Sequence, residues 1–197
     1  MNISEPMTMA TDYLLGAVAA TLAVRLWRAG NRAWALAFVF TSLASFLGGS
    51  YHGFQIEWLW KPTVYAVGLA SFFLLAGTHR LLTPVAALKF LVYAVWMARH
   101  DEFKYVIADY GLTLLIVGGV ALARWIRSRS PEGPWILGSI GVSILAALIQ
   151  SSRFSLHAHF NHNDLYHLVQ IAALWLLYRG GLLIRSWGTA LPTTPPT

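Results

Sequence analysis

AWALAFVFTSLASFLGGSYHG, residues 33–53, carries no Asp, Glu, Lys or Arg and ends on a polar Ser-Tyr-His. About 20 mostly apolar residues are what a helix needs to cross the hydrocarbon core of a bilayer. Six further stretches read the same way, over 11–29, 57–78, 81–99, 103–125, 133–151 and 164–185, the fourth of them carrying Lys89 inside it. Short polar punctuation separates them, such as Arg-Ala-Gly-Asn-Arg at 28–32, His79-Arg80 and Arg99-His-Asp-Glu at 99–102. The spacing predicts an all-α membrane protein: one seven-transmembrane helix bundle over residues 1–197, with a disordered tail over about 188–197.

Composition agrees. Charged residues are 11% and hydrophobic residues 57% of the chain, where a soluble domain would carry roughly a quarter charged residues. The segment before the first apolar run, MNISEPMTMATD, is acidic rather than basic, so that run reads as a retained helix and not a cleaved signal. No cysteine is present, which removes disulfides and thiolate metal sites. The net charge of +6 calls for no nucleic acid, because a Lys/Arg excess in a membrane protein marks cytoplasmic loops.

The basic residues also orient the bundle. One side collects Arg25, Arg28, Arg32, Arg80, Arg124, Arg127, Arg129, Arg179 and Arg185; the other has Lys61, Arg99, Lys104 and Arg153. The arginine-rich side is expected in the cytoplasm, with the N-terminus outside and the C-terminus inside, in a bacterial inner membrane.

Five histidines, His52, His157, His159, His162 and His167, then fall on the exterior or periplasmic side. Other polar groups share that leaflet. Ser45 lies seven residues before His52 on the same helix face, followed by Ser50 and Tyr51; Glu57 and Lys61 open the third helix; Asp109 lies two turns into the fifth; Asn163 and Asp164 stand at the mouth of the seventh, with His167 one turn deeper. An ionisable residue inside a span costs about 3 kcal/mol by insertion scales, so each is a functional candidate. A solvated loop accounts for His157 and His159, and Asp109 reads as structural if Lys61 or Lys104 pairs with it.

Three nitrogen or oxygen ligands plus a water make a catalytic zinc. His52 and His167 are the first expected ligands, with His162 or a carboxylate, Asp164 or Glu57, as the third. Asp109 or Glu57 is a candidate general base. Ser45 is a candidate to hold the water or an oxyanion. Ser50, Tyr51, Lys61 and Asn163 are expected at the substrate. Spacing does not separate zinc from other metals that favour imidazole.

Seven spans, Ser45 and His52 near the outer end of helix two, and the His-rich entry to helix seven with its NDLYHLVQIAALWLLYRGG resemble the CREST superfamily. That superfamily contains the alkaline ceramidases, the progestin/adipoQ receptors and the Per1-like lipases. The resemblance implies that His52 and His167 are zinc ligands and that a lipid amide or ester is the substrate. Three positions depart from the family pattern. Asn163 stands where a helix-seven histidine is expected, Gly48 stands four before His52 in place of Ser, and helix three offers Glu57 and Lys61 but no Asp.

The expectation is thus a ceramidase-like zinc hydrolase acting on a membrane lipid. The alternative is a proton- or ion-coupled transporter, or a sensor of a lipid or small molecule, built on the same polar cluster. The lack of a lysine in helix seven argues against a retinal protein.

Overall fold

The computed structural model describes residues 3–157 and 160–184. The expected tail over 188–197 and His159 lie outside them. Seven α-helices follow in order: α1 (Pro6–Arg28), α2 (Arg32–Phe54), α3 (Trp60–Thr78), α4 (Thr83–Met97), α5 (Phe103–Ser128), α6 (Gly133–Ser152) and α7 (His162–Leu183). Single turns of 3₁₀ helix, Glu57–Leu59 and Arg80–Leu82, lead into α3 and α4. Six segments are long and apolar enough to cross a membrane. The seventh, α7, is as long but more polar, and it packs between α1 and α6.

Helix starts follow local chemistry. Pro6 is the first residue of α1, where its missing N–H costs nothing. Asn31 accepts from the Trp34 N–H to start α2. Its amide also reaches the Gly181 carbonyl at 3.0 Å, tying the α1–α2 turn to α7. Asn161 and Asp164 form a reciprocal capping box on α7.

Six helices form a ring in the order α1, α2, α3, α5, α6, α7, closed by α7 against α1; α4 stands outside it against α3. The half of the ring nearer the arginine-rich end is filled by Leu26, Trp34, Phe38, Leu74, Val117 and Leu174. Lipid tails are as apolar as leucine, so helices in a membrane associate through close packing at small residues. A Cβ on Gly181 would stand 2.6 Å from the Trp34 ring, and one on Gly49 would stand 2.9 Å from the Asp12 Cβ.

α4 turns Leu88, Leu91, Val92 and Val95 outward. Tyr93 of α4 donates to the Val64 carbonyl of α3, and a buried ion pair ties α4 to α5. Lys89 Nζ donates to the Asp109 carboxylate and main-chain carbonyl of α5 and to Ser71 Oγ of α3, which is 2.7 Å from Thr113 Oγ1. All three ammonium protons are therefore used, and Asp109 Oδ2 has no partner among the described residues. Asp109 is paired with Lys89, not with Lys61 or Lys104. Removing one partner of a buried ion pair strands the other charge. Lys89→Met is expected to cost about 3–5 kcal/mol, and adding Asp109→Leu should restore most of it. Reversible unfolding in mixed micelles measures both; a single variant as stable as wild type would contradict the latch.

Candidate functional site

Thr8, Thr11 and Asp12 occupy one face of α1, at the spacing of successive helical turns. That face meets Asp164 and His167 of α7. Thr8 Oγ1 donates to Asp164 Oδ1 at 2.9 Å, Thr11 Oγ1 is 3.0 Å from His167 Nδ1, and Asp12 Oδ1 is 3.3 Å from His167 Nε2. All five side chains are buried. The second Asp164 oxygen accepts the Asn161 N–H at 2.7 Å, so both its oxygens are engaged away from the centre of the bundle.

Hydrogen-bond accounting leaves His167 two tautomers. Thr11 has a single hydroxyl proton, and the Met7 and Thr8 carbonyls, 3.0 and 3.1 Å away, compete for it with His167 Nδ1. With that proton on a helix carbonyl, Nδ1–H of His167 donates to Thr11 and Nε2 carries a lone pair; with it on Nδ1, Nε2–H donates to Asp12. In the first arrangement this lone pair faces the Asp12 carboxylate oxygen. Two acceptors cannot rest against each other in a buried site without a cation between them, either a proton or a metal ion.

A cavity of about 360 Å³ opens in front of this pair, walled by all six ring helices. Asp12, Ser45, His52, Tyr166 and His167 line its polar end; most of the remaining wall is apolar. Ser45 Oγ makes no hydrogen bond among the described residues. The Nδ1 of His52 is 3.2 Å from Glu5 Oε2, while its Nε2 has no partner among the described residues. Ser4 N donates to the Gly53 carbonyl at 2.9 Å, so the segment before α1 is fastened to the end of α2 beside His52. Ile107, Leu115 and Ile144 also line the cavity, yet they are 43%, 71% and 55% exposed. The cavity thus opens sideways between α5 and α6.

Other residues selected from the sequence go elsewhere. Glu57 is exposed in the turn before α3, and Asp109 is held by Lys89; neither lines the cavity. Ser50 bonds the Tyr13 hydroxyl at 2.8 Å. Tyr51 packs its ring on His52 and Trp60. Lys61 reaches the Met97 and His100 carbonyls and, at 2.6 Å, Asp101. Asn163 accepts from Gln150 of α6. His162 begins α7, half-buried and off the cavity wall, and five positions along a helix turn it away from His167. His157 forms a main-chain bridge with Phe160. Among the described residues, no three His, Asp or Glu side chains stand close enough together to enclose an ion as placed.

A model of a protein family of unknown function matches residues 7–186. The chain belongs to DUF6962. The match spans every element of the ring, so the α1–α7 contact lies inside the part that defines the DUF6962 assignment. No curated protein and no solved structure matches the chain.

In this DUF6962 chain, Thr8 and Asp164 should be energetically coupled. Asp164→Ala is expected to lower stability by about 1–3 kcal/mol through loss of the cap and of the buried hydrogen bond. In a double-mutant cycle with Thr8→Val, the two changes should fall short of additivity by at least about 0.5 kcal/mol. Strict additivity would contradict the clamp.

Proposed function

We propose that the protein is a seven-span membrane hydrolase that cleaves an amide or ester bond in a membrane lipid. Its reaction centre is the Asp12–His167 pair. The arginine-rich end faces the cytoplasm and the site faces the exterior or periplasmic leaflet. The observation that carries this reading is the buried carboxylate–imidazole pair, Asp12 Oδ1 and His167 Nε2, on the wall of an apolar, sideways-opening cavity.

The 3.3 Å separation is long for an N–H···O bond, which favours 2.7–3.2 Å. An imidazole nitrogen and a carboxylate oxygen are both ligand types that zinc takes. His167 and Asp12 would hold the ion. His52 is the third candidate, its Nδ1 already held by Glu5 as ligating histidines are held by an outer partner. His162 would not be needed. A zinc ion there would supply Lewis-acid chemistry, polarising a carbonyl and acidifying a water.

The chain's own residues do the remainder. Apolar cavity walls receive an acyl chain arriving from the bilayer between α5 and α6 and exclude bulk water around the scissile bond. Thr11 fixes the ring orientation of His167. The second oxygen of the Asp12 carboxylate would take a proton from the attacking water and return it to the leaving amine or alcohol. Ser45 offers its unengaged hydroxyl to the carbonyl oxygen as negative charge develops there.

Transport would need a second opening at the arginine-rich end. Beyond Leu114 and Leu174 the bundle is filled by the buried Val117, Ala121 and Leu177, which favours a dead-end pocket. The resemblance to the CREST hydrolases points the same way.

The test is turnover of a panel of fluorogenic lipid amides and esters by the purified chain in mixed micelles. Asp12→Asn should reduce kcat by about 10²–10⁴-fold and Ser45→Ala by about 10²-fold, while Glu57→Gln should leave the rate unchanged. Wild type that leaves the whole panel intact, or an Asp12→Asn variant that turns over normally, would overturn the reading.

A further inference from the structure

At the opposite end of the bundle, a second groove of about 370 Å³ lies between α1 and α7. It is lined by Arg25, Trp175, Tyr178, Arg179, Leu182 and Leu183. It is separate from the cavity described above and shares none of its residues.

Arg179 is held in a corner of two tryptophans. Its Cζ lies 4.5 Å from the Trp135 ring centre and 5.3 Å from that of Trp175, and the two rings meet nearly edge to face. A guanidinium lying over aromatic faces keeps its N–H donors in its own plane and has its rotamer fixed in advance. Among the described residues no carboxylate and no hydrogen-bond acceptor engages Arg179 or Arg25. A neighbouring arginine shows the contrast: Arg124, also near this end, is neutralised by Glu132 at 2.7 Å. Among the described residues the groove therefore presents two unneutralised cations, one already oriented, beside the partly exposed Leu182 and Leu183.

We infer that this groove binds the phosphodiester headgroup of an anionic phospholipid. The phosphate lies between Arg25 and the preset Arg179, and an acyl chain runs along Leu182 and Leu183. Planar, forked donors match phosphate oxygens better than a point charge does. Basic pockets between membrane helices at the cytoplasmic surface are where anionic headgroups bind. A scatter of interfacial arginines that serves orientation alone would need neither the aromatic corner nor the adjoining apolar wall. The inference does not depend on the hydrolase reading.

The experiment uses the full-length chain, delipidated in detergent. It is titrated with phosphatidylglycerol, with phosphatidylcholine and with inorganic phosphate, and retained lipid is counted by native mass spectrometry alongside Tm. Phosphatidylglycerol should be retained at about one per chain and raise Tm, whereas phosphatidylcholine and inorganic phosphate should do neither. The double variant Arg25→Gln/Arg179→Gln should bind at least tenfold more weakly, and Lys104→Gln at the other end should bind as wild type. Should the double variant fail to fold, Arg179→Lys keeps the charge, loses the fork and should weaken retention several-fold. Equal retention of both lipids, stabilisation by inorganic phosphate alone, or undiminished binding by these arginine variants would overturn the assignment.

Discussion

Where α1 docks on α7, five polar side chains meet, and the surrounding apolar bundle offers them few other partners. Thr8 takes one oxygen of Asp164, and the helix cap takes the other. Thr11 takes Nδ1 of His167. Asp12 then faces Nε2. Each leftover hydrogen-bonding group inside a bilayer costs several kcal/mol, so these pairings fix the register of α1 against α7 to within a residue. The same register brings the acid–imidazole pair to the cavity wall. Stability and chemistry at this seam are consequences of a single alignment.

The close approach of α1 and α2 supports that alignment from the other side. Gly49 packs directly against the Asp12 and Tyr13 side chains, and Ser42 donates to the Gly16 carbonyl at 2.8 Å. With α1 held between α2 and α7, the carboxylate of Asp12 has little freedom. The ring is thinnest between α5 and α6, and that is where its cavity opens. The Asp12–His167 pair and the open side of the cavity therefore lie at different seams of one ring.

The apolar runs and their polar punctuation made the helices legible, and the seven-residue spacing of Ser45 and His52 placed both on the inner wall. His167 was legible as the histidine lying deepest in its helix. Asp12 was not, because it reads as the last residue of the acidic lead MNISEPMTMATD, whereas the helix begins at Pro6 and carries it almost two turns in. Its first two turns are polar because their partners on α7 are polar, a relation no local pattern carries; proline after Ser4-Glu5 was the available signal. Asp109 looked like a base because Lys89, its partner, belongs to a helix whose place outside the ring is set by tertiary packing. Glu57 and His162 share the leaflet of the site but not its direction, and leaflet was all that the span boundaries resolved.

Metal content of the purified chain, prepared without chelator, tests the Asp12–His167 pair most directly. It is measured by elemental mass spectrometry on wild type, Asp12→Asn, His167→Gln and, as a control at the far end, His79→Ala. The account predicts close to one zinc per chain in wild type and in the control, and its loss in both site variants. Wild type without metal, or site variants that keep it, would contradict a cation seat between these two residues.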